Sequence, residues 1–222
     1  MTTLKFTFLF LITALYSCGQ TTTKHTVNPE SVRLNDKIIP LFSFTNNPDS
    51  CRKALLILDS ATTIDSNNFI AHYNKLMFFY GLKQYGKAIN TANKLISLRP
   101  NAHDLFMLKG NLLNKSGDTT SAKLNFEKSL EICNSILDTM HETNRDYMML
   151  VTNKAVNLIM LGDSANANKT LKDLYDKQPD DPVFDNAGKI YILSLMNKNR
   201  IQLIDFLSKP DTTGRNSISY PK

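Results

Sequence analysis

Leu105-Phe106-Met107-Leu108-Lys109-Gly110, followed by Leu113, Asn114-Lys115-Ser116-Gly117-Asp118, Ala122 and Phe126, is the stretch that decides the fold. Apolar side chains at helical spacing on both sides of a polar break predict two α-helices joined by a turn over 114–118. Gly117 suits the left-handed conformation that ends a helix. Working outward, Ala122 is one of a series: Ala54, Ala88 and Ala122 are 34 residues apart, inside Arg52-Lys53-Ala54-Leu55-Leu56, Gly86-Lys87-Ala88-Ile89 and Ser121-Ala122-Lys123-Leu124. Ala167 follows after 45 residues, the same interval with 11 added. A period of this size means stacked supersecondary units. With no Trp, only 8 Gly and 42% apolar residues, the chain lacks the punctuation of a sandwich or barrel, and its 222 residues suit one all-α domain.

The 105–126 unit resembles a tetratricopeptide repeat. The resemblance implies that Phe106 and Gly110 of the first helix fit against Ala122 of the second, and that Leu113 and Phe126 fill the gap between neighbouring repeats. A looser copy spans 69–102, with Leu76, Phe79, Tyr85, Ala88, Ala92 and Pro100, although Leu76 stands where a small residue is usual. A further copy spans 148–181, with Val151, Ala155, Leu158, Gly162, Ala167, Leu171 and Pro179. Upstream, 50–63 reads as a second helix around Ala54, Leu58 and Ala61. Its partner over 31–44 contains Pro40, which at mid-helix costs about 3 kcal/mol, so that helix should kink or begin there. Downstream, 183–197 and 200–208 form a capping helix pair that departs from the pattern. The implied architecture is a right-handed α-solenoid over 31–208, followed by a tail over 209–222. The extra residues, around 134–141, are expected to lengthen the second helix of the third repeat.

At the N-terminus, Lys5 precedes the apolar run 6–15, too short to span a bilayer but suited to the core of an export signal. Leu15-Tyr16-Ser17-Cys18-Gly19 resembles a bacterial lipoprotein box. That resemblance implies removal of residues 1–17 and acylation of Cys18, whose several acyl chains give lasting membrane attachment. Cleavage after Gly19, discarding Cys18, is the alternative. Residues 18–30 then make a flexible tether, polar and Thr-rich over 20–26. Because no acidic residue directly follows Cys18, the expected location is the bacterial envelope, on an outer membrane and facing the periplasm.

The net charge of +6 is spread along the chain with acidic residues interspersed, which argues against a nucleic-acid partner. In tetratricopeptide arrays the first helices line a concave face. The resemblance therefore assigns partner contact to Tyr73, Met77 and Tyr80, to Met107, Asn111, Asn114 and Lys115, and to Thr152, Ile159 and Met160. Tyr and Met suit adaptable contact surfaces, and Asn can both donate to and accept from a peptide backbone. The other reading is that these residues only coat a solvated groove. Tyr73 and Met77 occupy two positions where carboxylate-gripping members of the family carry polar or basic groups, which argues against such a clamp.

Catalytic chemistry is missing from the text of the chain. His141-Glu142-Thr143-Asn144-Arg145 begins like a zinc-protease motif but has no second His. His72 and His103, near the starts of first helices, have no sequence-adjacent ligand, and no Gly-rich phosphate loop or nucleophile turn is present. Neither cofactor nor metal is expected. Cys51 and Cys133 lie about two repeats apart, too far for a disulfide, and should be free and buried. The sequence thus reads as a non-enzymatic envelope lipoprotein that holds a protein or peptide partner. A part in outer-membrane protein assembly, or carbohydrate or small-ligand binding, are the alternatives.

Overall fold

Polar caps and glycine turns divide the chain into helices at the expected interval. The computed structural model describes residues 25–179 and 186–208, with side chains to residue 204. Among these it contains ten α-helices, one 3-10 segment and no strand. The helices are α1 (Pro29–Asp36), α2 (Pro48–Ile64), α3 (Phe69–Gly81), α4 (Tyr85–Leu98) and α5 (His103–Ser116), then α6 (Thr119–Leu137), α7 (Tyr147–Leu161), α8 (Ser164–Lys177), α9 (Ala187–Leu195) and α10 (Arg200–Ser208). Residues 1–17, Cys18 and the 209–222 tail lie outside the described residues. No described helix is long and apolar enough to cross a membrane.

Each helix from α1 to α8 packs against the next in sequence, and α8 against α9, so the molecule is a solenoid of helix pairs. Pro40 divides the predicted 31–44 helix: α1 ends at Asp36, and Pro40 opens the 3-10 segment Ile39–Phe44, where its missing N–H does no harm. The insertion lengthens α6 to 19 residues, against 14 for both α4 and α8, and the remainder forms the largely exposed 138–146 connection.

Asn28, Asn47, Asn68, Asp118 and Asp163 each accept a backbone N–H in the first turn of the following helix. Gly117 and Gly162 both end helices in the left-handed conformation, at φ 92°. Lys83 occupies the corresponding place one repeat earlier at φ 56°, a conformation that is unfavourable for a residue with a Cβ.

Small residues allow the pairs to close. Ala54, Ala88, Ala122 and Ala167 are all fully buried. A Cβ added to Gly110 would stand 2.9 Å from two ring atoms of buried Phe126. The small residue of α5 therefore receives the Phe126 ring directly, in addition to the expected fit around Ala122.

The domain begins before residue 31, which shortens the expected 18–30 tether. The Asp65 carboxylate accepts from the Asn28 and Asn67 backbone N–H groups, each at 2.9 Å, and pairs with His25 Nε2 at 2.9 Å. These bonds fasten residues 25–28 to the α2–α3 turn. The Asn28 bond, foremost, holds the Asp65 carboxyl below the usual carboxylate range.

Two outcomes follow from this packing. Gly110→Ala gains about 1 kcal/mol of helix propensity, but overpacking a closed core costs about 1–3 kcal/mol. With Phe126 unable to move into solvent, a net loss and a lower melting temperature are expected by thermal unfolding. Because Asp65 has a lowered folded pKa, its contribution is present above the unfolded value and lost as pH falls through the folded one. Asp65→Asn should lower the melting temperature at neutral pH, and its difference from wild type should shrink below about pH 4.

Candidate binding groove

Side chains of α3, α5 and α10 border one cavity. Leu76, Met77 and Tyr80 of α3, Leu108, Asn111, Asn114 and Lys115 of α5, and Ile204 of α10 surround a cavity of about 270 Å³. Five of the ten expected contact residues, Met77, Tyr80, Asn111, Asn114 and Lys115, thus come together. Burial, with the neighbouring Tyr85 adding to it, raises the Tyr80 hydroxyl above its ordinary pKa. The two rings meet edge-on, with centroids 6.0 Å apart. Leu76 is fully buried and forms the floor. Its bulk, visible as the departure from the small residue usual at that place, was the available signal for this cavity.

The other five expected residues behave differently. Tyr73 stacks beside Phe69, centroids 6.4 Å apart, and does not line the cavity. Met107 is half-buried against the C-terminal core. Thr152, Ile159 and Met160 are 3%, 0% and 2% exposed, which corrects their assignment to an open contact surface. α7 is packed by α6, α8 and α10 together, and Leu203 of α10 belongs to the same buried cluster as Ile159 and Met160. The Thr152 hydroxyl donates within its own helix to the Met148 carbonyl at 2.7 Å.

Arg200, at the start of α10, donates from Nη2 to Asn114 Oδ1 at 2.7 Å. Asn114 Nδ2 is buried and meets no acceptor. A buried N–H in this state is costly. Neither Arg200 nor Ile204 was marked as a contact residue from sequence, because their contacts are made across the stack rather than within a repeat.

Elsewhere the polar chemistry is structural. Ser129 Oγ donates to the His103 carbonyl at 2.8 Å and accepts from Asn157 Nδ2 at 2.9 Å, tying α5, α6 and α7 together. Burial pushes the His103 imidazole below its ordinary pKa, partly opposed by Asp104. His72 lies against the Ser66 carbonyl at 3.0 Å, and burial likewise lowers it. No group of three His, Cys, Asp or Glu side chains that would hold a metal occurs among the described residues. Cys51 and Cys133 are free and buried. Burial raises both thiols, Cys133 to about 12, which leaves them protonated and poor nucleophiles near neutrality.

Residues 70–102 and 103–135, which span α3–α4 and most of α5–α6, match the tetratricopeptide repeat family model. No curated protein sequence matches the chain. Among solved structures, a tetratricopeptide repeat protein from Parabacteroides merdae is 17% identical, covering 83% of this chain and 81% of that one, with a TM-score of 0.39. YrrB, described as a TPR protein with an unusual peptide-binding site, is 19% identical over 81% of this chain and 91% of its own, with a TM-score of 0.41. The MamA RS-1 ArsTM double mutant is 12% identical over 70% of this chain and 100% of its own, with a TM-score of 0.44.

Proposed function

We propose that this chain is a non-enzymatic envelope lipoprotein whose tetratricopeptide groove grips an extended segment of a protein partner. The observation that carries the reading is the cavity between α3 and α5, in which an apolar floor lies beside the Asn111 and Asn114 amides and Asn114 Nδ2 lacks an acceptor. An apolar floor receives a side chain, and amides at its edge bond the backbone on either side, as peptide recognition requires. The deprotonation-resistant thiols and the absence of a metal-holding cluster among the described residues add no rival chemistry. Tyr80 lines this cavity and Tyr73, stacked beside Phe69, does not, which favours the peptide reading over a small ligand held between the two rings.

Attachment to the membrane is assigned to Cys18 through its box Leu15-Tyr16-Ser17-Cys18-Gly19. Two acyl chains or more at one residue make such attachment stable, and the outer membrane of a bacterial envelope, facing the periplasm, is the proposed site.

Affinity capture from detergent-solubilised envelopes tests the groove. A partner retained by the wild-type chain should fall at least tenfold with Tyr80→Ala plus Asn111→Ala, and persist with Leu124→Ala, which alters an exposed position of α6. Equal retention by all three chains contradicts the groove reading. Metabolic labelling with a radiolabelled fatty acid tests the anchor: the wild-type chain should incorporate label and Cys18→Ala should not. Incorporation by both, or by neither, overturns the assignment.

A further inference from the structure

α10 turns back onto the preceding repeats and reaches the cavity between α3 and α5. After α9, which continues the stack beyond α8, α10 leaves that course and packs on α7. Leu203 enters the buried cluster of Ile159 and Met160, Arg200 donates to Asn114, and Ile204 forms one wall of the cavity beneath Met77 and Tyr80. A helix serving only to cap a solenoid would cover the exposed face of the last repeat. Here α9 leaves Ile190, Tyr191 and Leu193 exposed, while α10 packs on the earlier helix α7.

We infer that the groove is occupied in cis by this chain's own C-terminal segment, with α10 seated at one end and residues 209–222 continuing over Asn111, Met77 and Tyr80. The described part of α10 brings the chain to the cavity wall at Ile204, and 14 residues follow the helix. Fully extended they reach about 46 Å, whereas crossing from α5 to α3 needs only roughly 10 Å for each helix passed. Their sequence suits an extended ligand rather than more helix: Pro210, Gly214 and Pro221 break helical propagation, and Ile218 and Tyr220 are apolar groups for an apolar floor. An extended backbone also supplies the carbonyl that the buried Asn114 Nδ2 lacks.

This inference rests on the proposed peptide-binding reading in one respect: a partner using the groove must displace the segment, which therefore lowers the apparent affinity by the fraction of molecules in which the groove is filled. Occupancy itself requires no partner, and so the two readings fail separately.

The test uses the full chain purified in detergent, with the photoreactive residue p-benzoylphenylalanine at Tyr80 and, as a control, at Leu124. After irradiation, digestion and mass spectrometry, the Tyr80 probe should join peptides from residues 209–222 of the same molecule, in a yield independent of protein concentration. The Leu124 probe should not. Adducts lacking that segment, or adducts whose yield rises in proportion to concentration and so mark a second copy, overturn the inference. In a second arm, Leu203→Asp unseats α10. A synthetic peptide of residues 199–222 should then bind the variant at least tenfold more tightly than wild type, with circular dichroism verifying retained helix. Should the variant unfold, the crosslinking arm decides alone. Equal binding to two folded chains counts against the inference.

Discussion

Close approach of paired helices at a fixed interval is the constraint on which the remaining structure depends. Ala54, Ala88, Ala122 and Ala167 are buried without remainder, and Gly110 leaves the space that the Phe126 ring fills. Interiors at crystal-like density do not absorb an extra carbon without displacement of something else. Repetition of the same small residue therefore imposes a repeated distance between helix axes. α3 and α5 both pack on α4, and both contribute side chains to the cavity.

Polar groups then fix the register of the stack. Caps at Asn28, Asn47, Asn68, Asp118 and Asp163 determine where helices begin, while Gly117 and Gly162 determine where their partners end. Between pairs, Ser129 links α5 to α7 through the His103 carbonyl and the Asn157 amide, and Ser31 plays a comparable part at the start of the chain. Its Oγ donates to the Ala61 carbonyl and accepts from Asn68 Nδ2. These bonds are buried, so each discriminates against slippage by leaving an unsatisfied group if it breaks.

One departure from regular stacking shapes the cavity. α10 packs on α7 and brings Ile204 to the cavity that α3 and α5 line. The same packing places a guanidinium on Asn114, leaving its amide nitrogen as the polar group facing inward without an acceptor.

Much of this molecule was legible before any coordinates. The 34-residue interval, the Gly117 turn, the break at Pro40 and the free, buried cysteines all follow from helix periodicity, backbone conformational preference and the spacing of the repeats. That Met77, Tyr80, Asn111, Asn114 and Lys115 share one face was legible for the same reason, since a residue's place within a repeat decides which way it points. What only the tertiary structure decided was the fate of the α7 face and the early start of the domain at His25. Both depend on segments far apart in sequence, α10 against α7 and residues 25–28 against Asp65. Periodicity constrains neighbours in the chain. It carries no information about where a non-repeating end will find its lowest free energy, because that is determined by apolar surface and hydrogen-bonding groups that exist only once the repeats have stacked.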